Sequence, residues 1–389
     1  MNILLLTDLY PADAKHSPRE ISHALHDFAK QWSLTENVLV LRPFIVPDWQ
    51  RKNRQIRSGA DQLDGVKILH TPVLKIPWLH CFFLAELYRC LRKSGFQPQV
   101  IVAHLGFNLI FACRLAQLLQ VPLIAAVHLG DLKHGPAMLG EKLMRRIYHH
   151  ATGVACRSPM IHQRFSEKFP EFANKCFIAY SGIDPSVLHA DDMGREWLEK
   201  WKITRPIDFC TLATLKEYKN IAFNLNALSR LSPSIDWKYK IIGDGPEKIV
   251  LQRLAISLGI AARVEFRGFL PAPLAMQELR SSHIFLMLSR ETFGLAFLEA
   301  MACGLVVVGA RGYGIDGILE NGKNGFLCSP EDQVELASLL EKIINNTSPD
   351  ELKSILTKAR ETVSQYTLEK AAANYLKNIY RLIKKQRRY

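Results

Sequence analysis

Short apolar runs alternate along this chain with segments whose apolar positions recur every three or four residues. In the first half the runs fall at 3–7, 37–41, 66–70, 100–104, 123–128 and 153–156. Runs of this length, rich in β-branched residues and leucine, read as strands buried on both faces. Helical periodicity fills the gaps, at about 18–32, 82–93, 107–119 and 138–149. The second half repeats the scheme. Strands are predicted at 208–213, 239–243, 264–267, 284–289 and 305–309, with helices near 219–231, 246–258, 273–281 and 294–303. After Phe326 the pattern is helical, at about 331–345, 349–364 and 367–386. Strand and helix in alternation mean parallel sheets covered by helices. Two such sets predict an α/β protein of two Rossmann-like, doubly wound domains. The polar stretch between Gly182 and Arg205 carries prolines near both ends and reads as the junction. The expected division is an N-terminal domain at 1–182, a linker at 183–205, a second domain at 206–365 and a basic terminal helix at 366–389.

Composition narrows the class. The chain has 389 residues, 48% apolar and 22% charged, the profile of a soluble globular protein. Disorder, collagen-like repeats and coiled coils are excluded. The formal charge of +13 points to an anionic partner. Residues 1–190 carry 22 basic and 14 acidic side chains. One basic run is Arg51, Lys52, Arg54 and Arg57. Another is the C-terminus, with Lys377, Arg381, Lys384, Lys385, Arg387 and Arg388. The stretch 76–91 is aromatic, including Trp78, Phe82, Phe83 and Tyr88. With the basic runs it suggests a patch for an anionic membrane surface, the alternative being a helix packed on the N-terminal sheet. No nucleic-acid-binding module accompanies the charge, so nucleic acid is not the expected partner. Eight cysteines lie mostly in apolar segments and none form CxxC, which reads as buried thiols in a reducing compartment. The N-terminus lacks a basic lead and reads as a first strand rather than a signal peptide. No apolar run reaches 18 residues. A cytoplasmic protein is expected, peripheral on the inner face of the plasma membrane.

The chemistry concentrates at 284–309, which reads as strand, turn, helix, strand. Ligands bind at such strand ends in open α/β sheets. Thr292 is the expected N-cap. Gly294 removes a side chain where free N–H groups can hold a phosphate. Glu299 stands in a helix apolar almost all round. A buried carboxylate needs partners. Either a protein donor or a ligand with vicinal hydroxyls, such as a ribose, meets the need. Glu291 stands in the turn before the helix.

Glu291 and Glu299 form E-x7-E within ETFGLAFLEAMACG. This resembles the signature of family 4 glycosyltransferases, retaining enzymes with two facing Rossmann domains and a deep cleft (the B-type fold). Other stretches resemble the family in order and spacing: HLGD at 128–131, SGID at 181–184, LKEYKN at 215–220, IIGDGPE at 241–247, VEFRGFLP at 264–271 and NGFLCSP at 324–330. The resemblance runs from about residue 1 to 345. It implies that Glu299 accepts hydrogen bonds from the nucleotide ribose and that Glu291 sits near the donor sugar. The N–H groups of Phe293, Gly294 and Leu295 would hold the diphosphate. Lys219 would neutralise leaving-group charge, and Thr214 and Lys216 of the same segment would line the donor site. The main chain at Gly268 and Phe269 would meet the base. His128 would contact the reacting sugar, or else be a hydrogen-bonded core histidine. Asp131 would face the acceptor or simply cap the turn. A metal-independent reaction without cofactor is implied, with the nucleotide sugar as substrate and a glycan or lipid-linked acceptor.

Two departures stand out. The family usually places Arg where this chain has Thr214, leaving Lys216 to supply the charge. The loop after the first strand, YPADAKHSPRE at 10–20, has no glycine; Lys15, His16 and Arg19 there would contact an anionic acceptor or be solvated helix-start residues. Alternatives to transfer are a nucleotide-sugar hydrolase or epimerase on the same fold, or a non-catalytic nucleotide- or membrane-binding scaffold.

Overall fold

The computed structural model describes residues 1–11, 24–46, 59–74, 80–104, 106–135, 140–188, 201 and 206–386. Its first eight strands are β1 (Asn2–Leu6), β2 (Asn37–Val46), β3 (Gly59–Leu63), β4 (Val66–Leu74), β5 (Val100–His104), β6 (Leu123–Val127), β7 (Gly153–Cys156) and β8 (Cys176–Ile178). They form one sheet in the order β3-β4-β2-β1-β5-β6-β7-β8. All neighbours are parallel except β3 and β4, which form an antiparallel hairpin. Asp64 and Gly65 turn it with φ of 47° and 84°. Positive φ at both positions is what a tight two-residue hairpin demands. The apolar pattern did not reveal β3, because four of its five residues are exposed.

Strands β1, β5 and β6 are near-continuous apolar segments, almost every residue fully buried. Their connections include helices Ala24–Ser33, His80–Lys93 and Gly106–Leu119. Order reverses between β1 and β5, since β2 and β4 extend one way and β6 to β8 the other. At such a switch point the strand ends leave a crevice for a ligand.

The last helix, Leu368–Gln386, belongs to this same unit. Ala371, Tyr375, Ile379 and Ile383 recur every four residues and are buried. The Trp32 indole N–H donates to the Ala372 carbonyl at 3.2 Å. Tyr375 sets its ring edge-on to Phe28, Trp32 and Phe177 at 5.8, 5.1 and 5.6 Å. Its hydroxyl is buried with no hydrogen-bond partner among the described residues. Tyr375→Ala should therefore cost about 3–5 kcal/mol, as for other large aromatic truncations. Tyr375→Phe should cost almost nothing or stabilise, because it removes an unsatisfied group. Urea unfolding of both variants checks this.

A second unit comprises Ser158–Met160 and Ser181–Thr367. Its strands are β9 (Ile207–Leu212), β10 (Trp237–Ile242), β11 (Val264–Gly268), β12 (Ile284–Met287), β13 (Val306–Ala310) and β14 (Phe326–Cys328). All pair in parallel in the order β11-β10-β9-β12-β13-β14. This is the doubly wound arrangement, with its switch point between β9 and β12. Phe209, Leu225, Tyr239, Leu286, Val308 and Leu340 are among the fully buried residues of its core. Apart from the β3–β4 hairpin, both sheets are thus parallel, as the alternation of runs predicts.

Candidate functional site

The switch point of the second unit gathers the residues singled out in the sequence. From β9 the chain passes Thr214 and Lys216 into a single 3-10 turn, Glu217–Lys219. Asn220 ends that turn with φ +58, a conformation asparagine tolerates better than most residues. Its side-chain amide donates to the carbonyls of Leu288 and Pro330, each at 3.2 Å. The Arg290 N–H donates to the Tyr218 carbonyl at 2.8 Å. The loops after β9 and β12 are thereby joined.

That junction sets Lys219 against Glu291. Lys219 Nζ lies 2.6 Å from Glu291 Oε2, and the Ser289 hydroxyl donates to Glu291 Oε1 at 2.6 Å. The two charged side chains are only 12% and 16% exposed. Lys219 also stands 5.5 Å from the centre of the Tyr218 ring. The Glu291 carbonyl accepts the Gly314 N–H at 2.9 Å. A Cβ at Gly314 would lie 2.3 Å from the Phe293 nitrogen, so the loop after β13 supports this turn by close backbone approach.

Gly294 caps the helix Leu295–Ala302, at the place the sequence reading gave to Thr292. Its φ is +99, and a Cβ there would sit 2.5 Å from Phe297 Cδ2 and 3.3 Å from Glu291 Oε1. Only glycine meets both demands. Phe293 and Gly294 are buried and Leu295 is half-buried at this helix start.

Glu299 stands out among the described carboxylates of the unit. It is partly exposed, yet burial pushes its carboxyl from 4.5 up to about 7. Among the described residues no side-chain hydrogen bond or ion pair offsets that burial.

Glycines of the GDGP turn place the neighbouring segments. A Cβ at Gly243 would meet the Ala213 carbonyl at 1.8 Å, and one at Gly245 the Leu215 carbonyl at 2.4 Å. The Leu215 N–H donates to Asp244 O at 2.9 Å, and the Gly243 N–H to Gly268 O at 2.7 Å. Thr214 and Phe269 are half-buried, and Lys216 is exposed. Gly268 has φ +70 and open space around it. The structure thus brings Thr214, Lys219, Glu291, Phe293, Gly294, Leu295 and Glu299 around one set of strand ends.

In the first unit His128 follows β6 and Asp131 lies one turn on. Asp131 is buried and its carboxylate accepts the His128 N–H and the Gly106 N–H, each at 2.9 Å. Burial raises it to about 6, against those two hydrogen bonds. It therefore caps the turn, the second of its two sequence readings. His128 Nε2 lies 3.2 Å from His104 Nδ1. Burial, then the nearby Arg157 cation, lowers His128 to about 3, so it is neutral. Lys15, His16, Arg19, Trp78 and the run from Arg51 to Arg57 lie outside the described residues. Asn220, Gly314 and His104 were not singled out from sequence. Asn220 sat unweighted beside Lys219, and nothing local marks the other two.

Among the described residues no three His, Cys, Asp or Glu side chains are placed to hold a metal ion. The seven described cysteines are free, and no described helix is long and apolar enough to cross a membrane.

The model of glycosyl transferases group 1 matches residues 195–362, and that of Glycosyltransferase Family 4 matches 38–187. The chain belongs to this glycosyltransferase family. It is 32% identical over 167 residues to N-acetyl-alpha-D-glucosaminyl L-malate synthase of Bacillus anthracis, a match covering 42% of each chain. The match thus spans less than half of that relative's length. It is 26% identical over 245 residues to the lipopolysaccharide core biosynthesis glycosyltransferase LpsE of Rhizobium meliloti, covering 61% of this chain and 67% of that one. Anabaena HepE, solved in complex with UDP, has the same fold, with a TM-score of 0.73 and 21% identity over 98% of this chain and all of that one.

Proposed function

We propose that this glycosyltransferase retains the anomeric configuration and moves a sugar from a nucleoside diphosphate sugar to an acceptor hydroxyl, in assembly of a cell-surface polysaccharide or glycolipid. The observation that carries the reading is Glu299, without a side-chain partner among the described residues, in the helix that follows the Lys219–Glu291 pair. A ribose diol supplies the donors Glu299 lacks. The N–H groups after Gly294 and the Lys219 ammonium offer positive charge to a diphosphate. As the sugar–phosphate bond breaks, negative charge grows on the leaving oxygen, and a preplaced cation stabilises it. Lys219 is held in place by Glu291 until then. Phe269 and the main chain at Gly268 are assigned to the base. The chemistry needs no metal or cofactor in this reading. HepE, solved with UDP and with UDP-glucose, and LpsE, named for lipopolysaccharide synthesis, support the class of donor and product.

The test is release of nucleoside diphosphate from a panel of nucleotide sugars, with and without candidate acceptors. Release only with acceptor supports transfer; equal release without it indicates a hydrolase; none sinks the catalytic reading. The anomeric signal of the product reports the stereochemistry. Turnover should survive a chelator.

The acceptor is assigned to an anionic membrane surface on the cytoplasmic side. The terminal helix presents Lys377, Arg381, Lys384 and Lys385 exposed, on the face opposite its buried stripe. Each basic residue near an anionic surface contributes about 1 kcal/mol, screened by salt. Binding to phosphatidylglycerol vesicles should appear at low salt, fade with added salt, and fall in the Lys377→Glu, Arg381→Glu, Lys384→Glu variant. Absence of sedimentation at low salt would overturn it.

A further inference from the structure

His104 ends β5 and is fully buried at the switch point of the first sheet. One ring nitrogen, Nδ1, lies 3.2 Å from His128 Nε2, with the rings 5.4 Å apart and inclined at 62°. The other, Nε2, is buried with no hydrogen-bond partner among the described residues. Buried polar atoms are nearly always partnered, so an apolar residue would suit this core better. The backbone beneath it is held: the Asn108 amide donates to the His104 carbonyl at 3.1 Å and to Asp8 Oδ1 at 2.7 Å. Burial, joined by the Arg157 cation, lowers the proton affinity of both imidazoles. Two neutral imidazoles share one hydrogen bond, so one ring donates and the other accepts. Between two neutral rings that bond can run either way, so what it fixes is the plane of the His128 ring rather than the seat of its proton.

We propose that His104 is a positioning residue, holding the His128 imidazole in one orientation for contact with the reacting sugar. The proposal rests on the reading of His128 as a sugar contact. It accounts for a histidine whose second nitrogen the core leaves unserved.

Two substitutions separate this role from packing. His104→Leu fills the space and removes the hydrogen bond. His104→Asn keeps a short polar group at the level of Nδ1. If His104 only packs, turnover follows melting temperature in both. If it positions His128, His104→Leu should keep or raise the melting temperature while kcat falls about 10-fold or more, the scale for a displaced reacting group. KM for the nucleotide sugar should stay within twofold, and His104→Asn should restore most of kcat. Ring nitrogen-15 spectra give a readout that needs no turnover. The His128 Nε2 resonance should carry a hydrogen-bond shift in the unaltered protein and lose it in His104→Leu. Unchanged His128 spectra, or parallel loss of melting temperature and kcat without rescue by asparagine, would overturn the proposal. That spectral change in a protein that transfers no sugar would instead count against the glycosyltransferase reading.

Discussion

Replacing Glu299 by alanine should weaken binding of free nucleoside diphosphate by about 10- to 150-fold, the loss of a charged hydrogen bond worth about 1.5–3 kcal/mol. The ligand-free protein should be no less stable for it. A carboxyl raised from 4.5 to about 7 binds more protons folded than unfolded between those values. Its burden on stability is therefore absent at low pH, grows through that window, and is constant above it. Glu299→Gln should accordingly gain melting temperature on the parent from pH 4.5 to 7 and hold the gain beyond. A ribose binds best to the ionised form, so the affinity of the parent should improve as pH rises through 7. Phosphate ionisation contributes its own pH dependence, and Glu299→Gln isolates it. Calorimetric titration at pH 6, 7 and 8 on both proteins is the measurement. Identical pH slopes would remove Glu299 from the nucleotide site.

Lys219→Ala should lower kcat/KM by about 10²–10³, the range seen when a preplaced stabiliser of a developing anion is lost. The ion pair complicates the reading of stability. Among the described residues Glu291 is left mostly buried with Ser289 as its remaining side-chain donor, at a cost of about 1–3 kcal/mol. Adding Glu291→Gln to Lys219→Ala removes the stranded charge. The double variant should recover melting temperature and remain slow. If turnover recovers along with stability, Lys219 serves the fold, and the exposed Lys216 becomes the candidate for the phosphate.

How much of this was legible depends on whether a residue's task is local. The sheets were legible because parallel strands buried on both faces are unbroken apolar runs. The β3 strand was not, since an exposed edge strand of Gly-Ala-Asp-Gln-Leu carries no apolar alternation. The Pro159–Lys168 helix was also missed, having a polar surface and no strong run. Glu291 and Glu299 were visible because charge inside an apolar segment is conspicuous. Their different states were not: the partner of Glu291 lies 72 residues away, and Glu299 has no side-chain partner among the described residues. His104 was read only as the end of a strand, because the ring it meets is 24 residues further on. Thr292 was expected as the cap by residue preference, but the close packing of Phe297 against Gly294 decides that position.

The return of the last helix makes the order of synthesis part of the folding problem. Residues 1–180 and 368–389 share one core, so a ribosome has made the whole second unit before the first can close over Phe28, Trp32 and Phe177. The second unit has no such delay. Its ends meet at once, the Ile183 N–H donating to the Tyr366 carbonyl at 2.9 Å, with Ile183 and Thr367 bridged in parallel. It is an insertion whose two ends are fastened together, the form in which domain grafts are best tolerated. A nascent chain stopped before residue 368 should hold a protease-resistant 181–367 behind a labile N-terminal half. Adding the final helix as a separate peptide should then protect the missing part.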